Sequence, residues 1–153
     1  MPLQLQLDKE LSLEECRILL RLDGTSEQAQ EGWEFDYRKI DLALNFLEIT
    51  HRVELGFKAG IRKMGHHNSF MGFHEIKIST YLDIEGANES LWHELAHCSQ
   101  AERLWRENGL PITRFSEAYN LAWGKSGSRY KDNLFEIEAR SIAKRYGSMA
   151  LLC

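Results

Sequence analysis

The sequence predicts an α+β fold on three observations. Two short stretches alternate apolar and polar residues, Val53, Leu55, Phe57 and then Ile76, Ile78, Thr80, which is the period of a half-buried strand. Three later stretches, around 88–107, 113–123 and 134–146, repeat their apolar residues at helical spacing. The strands come before these helices instead of alternating with them, which favours α+β over α/β. At 153 residues the chain is read as one domain over 1–153, able to bury about 68–70% of its unfolded surface without disulfides. Within it, 1–50 reads as an N-terminal helical part and 51–153 as the core that carries chemistry.

The elements follow in order. Residues 12–22 read as a helix, with Ser12 and Glu15 in capping-box spacing and Leu13, Cys16, Leu19 and Leu20 as its buried stripe. Asp23 to Gly32 is a polar loop. Ile40, Ala43, Leu44 and Leu47 place a helix over 38–50, although a run this apolar also fits a buried strand. The two alternating segments then form a hairpin, with Gly65 and Asn68 supplying turn chemistry between them. The helix over 88–107 takes Asn88 as its N-cap; Gly109 suits a left-handed C-terminal residue, and Pro111 forbids continuation. Leu91, Leu95, Cys98 and Trp105 should be its buried face, and Ser99, Arg103 and Arg106 its wet one. After the 113–123 helix comes a Gly124-Lys125-Ser126-Gly127 loop, and the last helix runs from Leu134 to Tyr146.

Chemistry concentrates in His93-Glu94-Leu95-Ala96-His97. On a helix, residues four apart lie one above the other, so His93 and His97 can grip one ion from one face. Glu94, rotated about 100° from His93, stands beside that ion. A zinc hydrolase needs this arrangement: two neutral imidazoles hold Zn²⁺, and a free carboxylate takes a proton from zinc-bound water, whose pKa falls to about 7. The competing reading is a pair of core histidines satisfied by backbone. The capped helix and the uncharged Leu95, Ala96 and Cys98 around the histidines favour the metal.

A third ligand must come from elsewhere. The six histidines stand at 51, 66, 67, 74, 93 and 97, so none follows the motif, and a downstream carboxylate is expected. Glu136 ranks first. Ala139 and Ala143 flank it and would let two helices approach closely, although Asn133-x-x-Glu136 also fits a capping box. Glu117 lies twenty residues after His97, a thermolysin-like spacing, but Ser116 and Leu121 stand where Asn and Asp would be expected. Glu138, about 200° around the helix from Glu136, sits nearer the wet edge marked by Ser141 and Arg145.

With a later helix bearing Glu136-Ile137-Glu138-Ala139, the motif resembles the gluzincin metallopeptidases, closest to the compact minigluzincins and the ImmA/IrrE-like proteins. The resemblance covers roughly residues 70–146. It implies a zincin-like fold, a small twisted sheet packed on the active-site helix with a glutamate helix beside it. It also implies that Glu136 is the third zinc ligand. The Leu-Met-Pro-like segment that follows in ImmA/IrrE proteins is missing, since the chain reads Tyr146-Gly147-Ser148-Met149, and residues 1–50 match no part of the pattern.

The expected activity is therefore zinc-dependent peptide-bond hydrolysis, a metalloendopeptidase with Zn²⁺ as cofactor and a protein or peptide as substrate. Glu94 would activate the water. Phe73, His74, Glu75, Ile76 and Lys77 would be the edge strand that pairs with extended substrate. Tyr130, or Tyr119, would donate to the oxyanion, against the plainer reading of packing tyrosines. The alternative is a catalytically silent, zinc-stabilised binding or scaffold module, which would need a further ligand such as Cys98 or Glu102. His66-His67 reads as a solvated turn pair and Cys98 as a small buried hydrophobe.

Charge and cysteine usage bound the setting. With 19 Lys+Arg against 23 Asp+Glu, no basic field draws in nucleic acid. Three cysteines without a CxxC suggest a reducing compartment. The N-terminal MPLQLQLDKE lacks signal-peptide character, and no apolar run approaches the ~20 residues of a membrane span. A cytoplasmic location without membrane association is expected.

Overall fold

A computed structural model describes residues 18–20, 32–58, 64–125 and 130–153. Its architecture is α+β: a small mixed sheet packed with four helices. The strands are β1 (Ile18–Leu20), β2 (Arg52–Lys58), β3 (Gly65–Phe70) and β4 (Phe73–Ser79), in the spatial order β1-β2-β4-β3. β2 and β4 run parallel with Val53 opposite His74 and Leu55 opposite Ile76, while β3 and β4 are antiparallel.

Three expectations change here. The predicted hairpin partners, β2 and β4, are parallel neighbours, because β3 intervenes in sequence and takes the antiparallel place beside β4. Gly65 and Asn68 are therefore strand residues. The turn lies at Met71-Gly72, where Gly72 has φ 85°, a conformation that any side chain would strain. Ile18–Leu20 pairs parallel to β2 as a strand, where a helix was expected. A short apolar run fits both periods, and pairing with a distant strand decides between them. The rest of the predicted 12–22 helix, with its capping box, lies outside the described residues, as do residues 23–31 of the polar loop.

The helices are α1 (Tyr37–Phe46), α2 (Ile84–Asn108), α3 (Phe115–Lys125) and α4 (Leu134–Tyr146). Asp36 caps α1 by accepting from Lys39 N, and Ile40, Ala43 and Leu44 form its buried stripe. α2 begins a turn before the predicted Asn88, because the Asp83 side chain accepts the Gly86 N–H. It ends at Gly109 in the left-handed region, φ 68°. Asn88 instead ties the C-terminal segment to α2. Its amide donates to Gly147 O and Met149 O, and its oxygen accepts from Leu151 N. α3 starts after a 3₁₀ turn at Ile112–Arg114 and includes Gly124 and Lys125, which the sequence placed in a loop; Ser126 and Gly127 lie outside the described residues.

The main core lies between the sheet and α1 and α2, built from Ile40, Leu44, Leu55, Ile76, Leu91, Trp92 and Leu95. Trp33, Phe35 and Phe57 close one end through ring contacts. Ala139 and Ala143 are buried, and α4 lies directly against α2. Trp105 departs from the expected buried face and is 42% exposed, with its ring edge-on to that of His51. Among the described residues, no helix is long and apolar enough to cross a membrane.

Candidate metal centre

α2 carries His93, Glu94 and His97 to the wall of a cavity of about 710 Å³. Gly65 and His67 of β3, Phe115 and Tyr119 of α3, Tyr130, and Glu136 and Arg140 of α4 complete much of that wall. The close α2–α4 contact brings the Glu136 carboxylate between the two imidazoles. Its Oε2 lies 3.1 Å from His93 Nε2, and its Oε1 lies 2.6 Å from His97 Nε2. Among the described residues, these three side chains form one of three groups whose donor atoms could hold a metal ion.

The surrounding bonds orient the donors. Gln100, three residues after His97, donates its amide protons to Phe135 O at 2.8 Å and Glu138 Oε1 at 3.0 Å. Its oxygen then faces His97 Nδ1 at 2.8 Å and accepts that ring's proton. With a proton held on Nδ1, Nε2, the atom that bonds Glu136, is the nitrogen that would give up its proton to take a metal. Gln100 was missed in the sequence, although its i+3 spacing from His97 places it on the same helix face.

Charge in the site follows from burial and pairing. Burial opposes charge on His97, yet the bond from Glu136 and the nearby Glu94 outweigh it and raise its pKa. Burial pushes Glu136 upward, but its bonds to His93 and His97 hold it far below the usual carboxylate range. Tyr119 and Tyr130 both bond Glu136; burial first, and then that carboxylate, raise both phenols. Each sits on the cavity wall, where the sequence reading had them as alternative donors.

The competing carboxylates lie elsewhere. Glu117 is exposed and bonded to Arg114 at 2.8 and 3.0 Å. Glu138 holds Gln100 and Arg103, so it supports the site from behind and does not enter it. Arg103 lies on the wet side as expected, half-exposed, and pairs there with Glu138. Asn133 caps α4 by accepting from Phe135 N at 2.9 Å, while its own N–H donates to Tyr130 O. Glu136 is thereby left to the histidines.

Neither a family model, nor a curated protein, nor a solved structure matches the chain. The functional reading therefore stands on this chain's own geometry.

Two further expectations need correction. Phe73, His74, Glu75, Ile76 and Lys77 lie on β4, which is flanked on both sides by β2 and β3 and cannot be an edge. The terminal strand beside the cavity is β3, whose polar sequence Gly-His-His-Asn-Ser-Phe concealed it. His66 and His67 consequently belong to a strand. His67 turns inward, with its ring 6.1 Å from that of His97. Gly65 packs closely on α2: an added Cβ would collide with Ser90 Oγ and lie 3.3 Å from Glu94 Oε1.

Proposed function

We propose that the chain is a zinc-dependent endopeptidase with a zincin-like arrangement, in which a small sheet covers the active-site helix and a glutamate helix lies beside it. One observation carries the reading: His93 Nε2, His97 Nε2 and the Glu136 carboxylate converge while Glu94 shares their cavity. The donor chemistry fits Zn²⁺, which takes imidazole and carboxylate ligands at about 2.0–2.2 Å and so spaces tetrahedral donors about 3.3 Å apart. One donor atom from each of the three residues lies within 4.8 Å of the others, close enough for one ion to sit among them. Bound there, zinc supplies a Lewis acid that lowers a water pKa to about 7 and polarises a carbonyl.

The chain's own groups supply the rest. The Glu94 carboxylate accepts a proton from the attacking water and returns it to the departing amide nitrogen. The hydroxyls of Tyr119 and Tyr130 stand on the same wall and can donate to oxygen charge developing at the scissile carbonyl. β3 offers a strand along which an extended peptide can pair through its main chain, next to Gly65. The substrate class is therefore an extended segment of a peptide or protein.

The deciding experiment compares wild type with Glu94→Gln in an unbiased cleavage screen, together with zinc analysis of both proteins. Expected is unchanged zinc content with cleavage reduced about 10²–10⁴-fold. Equal cleavage by the two proteins overturns the mechanism. Bound zinc without cleavage by either would favour the silent, zinc-stabilised module.

A further inference from the structure

We propose that His51, His74 and Glu102 form a second divalent-cation site, separate from the cavity and structural in role. Their donor atoms, one from each residue, lie within 4.8 Å of one another. The three come from different parts of the fold: His51 from the turn before β2, His74 from β4 and Glu102 from α2. His51 Nδ1 is 2.8 Å from Glu102 Oε2, and His74 Nε2 is 3.5 Å from Glu102 Oε1. Each ring nitrogen thus faces one oxygen of the same carboxylate, with the three groups close enough to share one ion.

An unanswered atom points to the missing member. His74 is fully buried, and its Nε2 has no hydrogen-bond partner. The nearest carboxylate oxygen, Glu102 Oε1 at 3.5 Å, stands at the outer limit of a hydrogen bond. A buried polar nitrogen left in this state is destabilising, and a cation between the ring and the carboxylate would satisfy it. The other ring nitrogen, Nδ1, is 2.8 Å from Ser69 Oγ. When that hydroxyl accepts the Nδ1 proton, Nε2 presents its lone pair towards Glu102, the outer support that ligand histidines ordinarily have. Glu102 is held in turn by the N–H groups of Thr50 at 2.7 Å and His51 at 2.8 Å.

The donor set selects the ion class. Two imidazoles and one carboxylate suit zinc and its neighbours, not calcium or magnesium, which take oxygen ligands. The side chain of His51 is 21% exposed, giving an ion a way in. Binding would displace the proton now shared between His51 Nδ1 and Glu102 and would pin the turn, the sheet and α2 together.

The test strips the full chain of metal, titrates it with Zn²⁺, and counts bound zinc per chain after desalting, with melting temperature followed in parallel. His51→Ala removes one ligand at the most exposed position, and His51→Gln serves if the alanine variant loses its circular-dichroism signature. His93→Ala reports on the cavity site independently. Two equivalents are expected in wild type, one in each single variant and none in the double variant. Zinc should still raise the melting temperature of His93→Ala. One equivalent in wild type that disappears in His93→Ala but persists in His51→Ala overturns the second site and leaves the peptidase reading standing. One equivalent lost only in His51→Ala does the reverse.

Discussion

α2 serves two clusters built from the same parts, two histidines and a glutamate, and they are arranged for opposite ends. At the cavity, the helix supplies both imidazoles and the carboxylate arrives from α4; at the second cluster, the helix supplies the carboxylate and the sheet side supplies the imidazoles. Glu136 is met by histidine and tyrosine side chains beside a cavity that also holds Glu94. Glu102 is fully buried and fastened to the backbone of Thr50 and His51, and none of its cluster lines that cavity. Identical donors can thus support chemistry or architecture. Access for a reactant and a neighbouring base make the difference, because hydrolysis needs both and a staple needs neither.

The largest contrast is expected in the stability of metal-free protein. Glu102→Ala leaves two backbone N–H groups and the His51 imidazole without their acceptor. Removing one partner of such a buried set costs about 3–5 kcal/mol. Glu136→Ala also removes a buried carboxylate, but water entering the cavity can solvate the histidines it leaves, so the cost should be less than half as large. Denaturant unfolding of both variants in chelator measures this directly. Equal losses would show that the two carboxylates play the same structural part.

A second contrast concerns orientation. Gln100→Leu preserves the bulk of the side chain while removing the acceptor that holds the proton on His97 Nδ1. Loss of such an outer partner typically weakens metal affinity about 10–100-fold. Competition with a chromophoric chelator should show that weakening at the cavity site, with binding that depends on His51 unchanged. An unaltered affinity would mean that the ring needs no help in choosing its tautomer.

What could be read in advance followed from range in sequence. α4 occupies Leu134–Tyr146 as predicted, since Asn133 and the helical period are local signals. The His93, Glu94 and His97 geometry is likewise contained in one turn and a half of helix. Gln100 was within the same reach and was overlooked. The parallel pairing of β2 with β4 was not legible, because it depends on β3, a strand whose polar residues lack the usual signature. The second cluster joins residues 51, 74 and 102, and no spacing rule connects positions that only the sheet and helix bring together.

A smaller effect concerns pH at the second cluster. Burial would raise Glu102, but His74 and His51 outweigh it and bring its pKa down to about 2, below the ~4.3 of an unfolded glutamate. The sign is that of a depressed acid: its contribution is complete above about pH 4.3 and disappears as pH falls towards 2. In metal-free protein, the gap in melting temperature between wild type and Glu102→Gln should therefore narrow across that window. A gap that stays constant from pH 5 to 2 would contradict the role given to the ionised carboxylate.

The smallest effect belongs to the carboxylate that lies in neither cluster. Glu117 follows the motif at a spacing that invites a ligand role, yet its side chain reaches Arg114 on the open surface. That contact lowers the carboxylate pKa through the Arg114 hydrogen bond, but solvent screens an exposed pair so strongly that its share in stability is slight. Glu117→Gln should therefore leave zinc content, cleavage and melting temperature at their wild-type values, while Glu136→Gln in the same assays lowers zinc content by one equivalent. If the Glu117 change removes zinc instead, α3 must swing its first turn into the cavity in solution, and the pairing of α2 with α4 loses its place as the arrangement that completes the site.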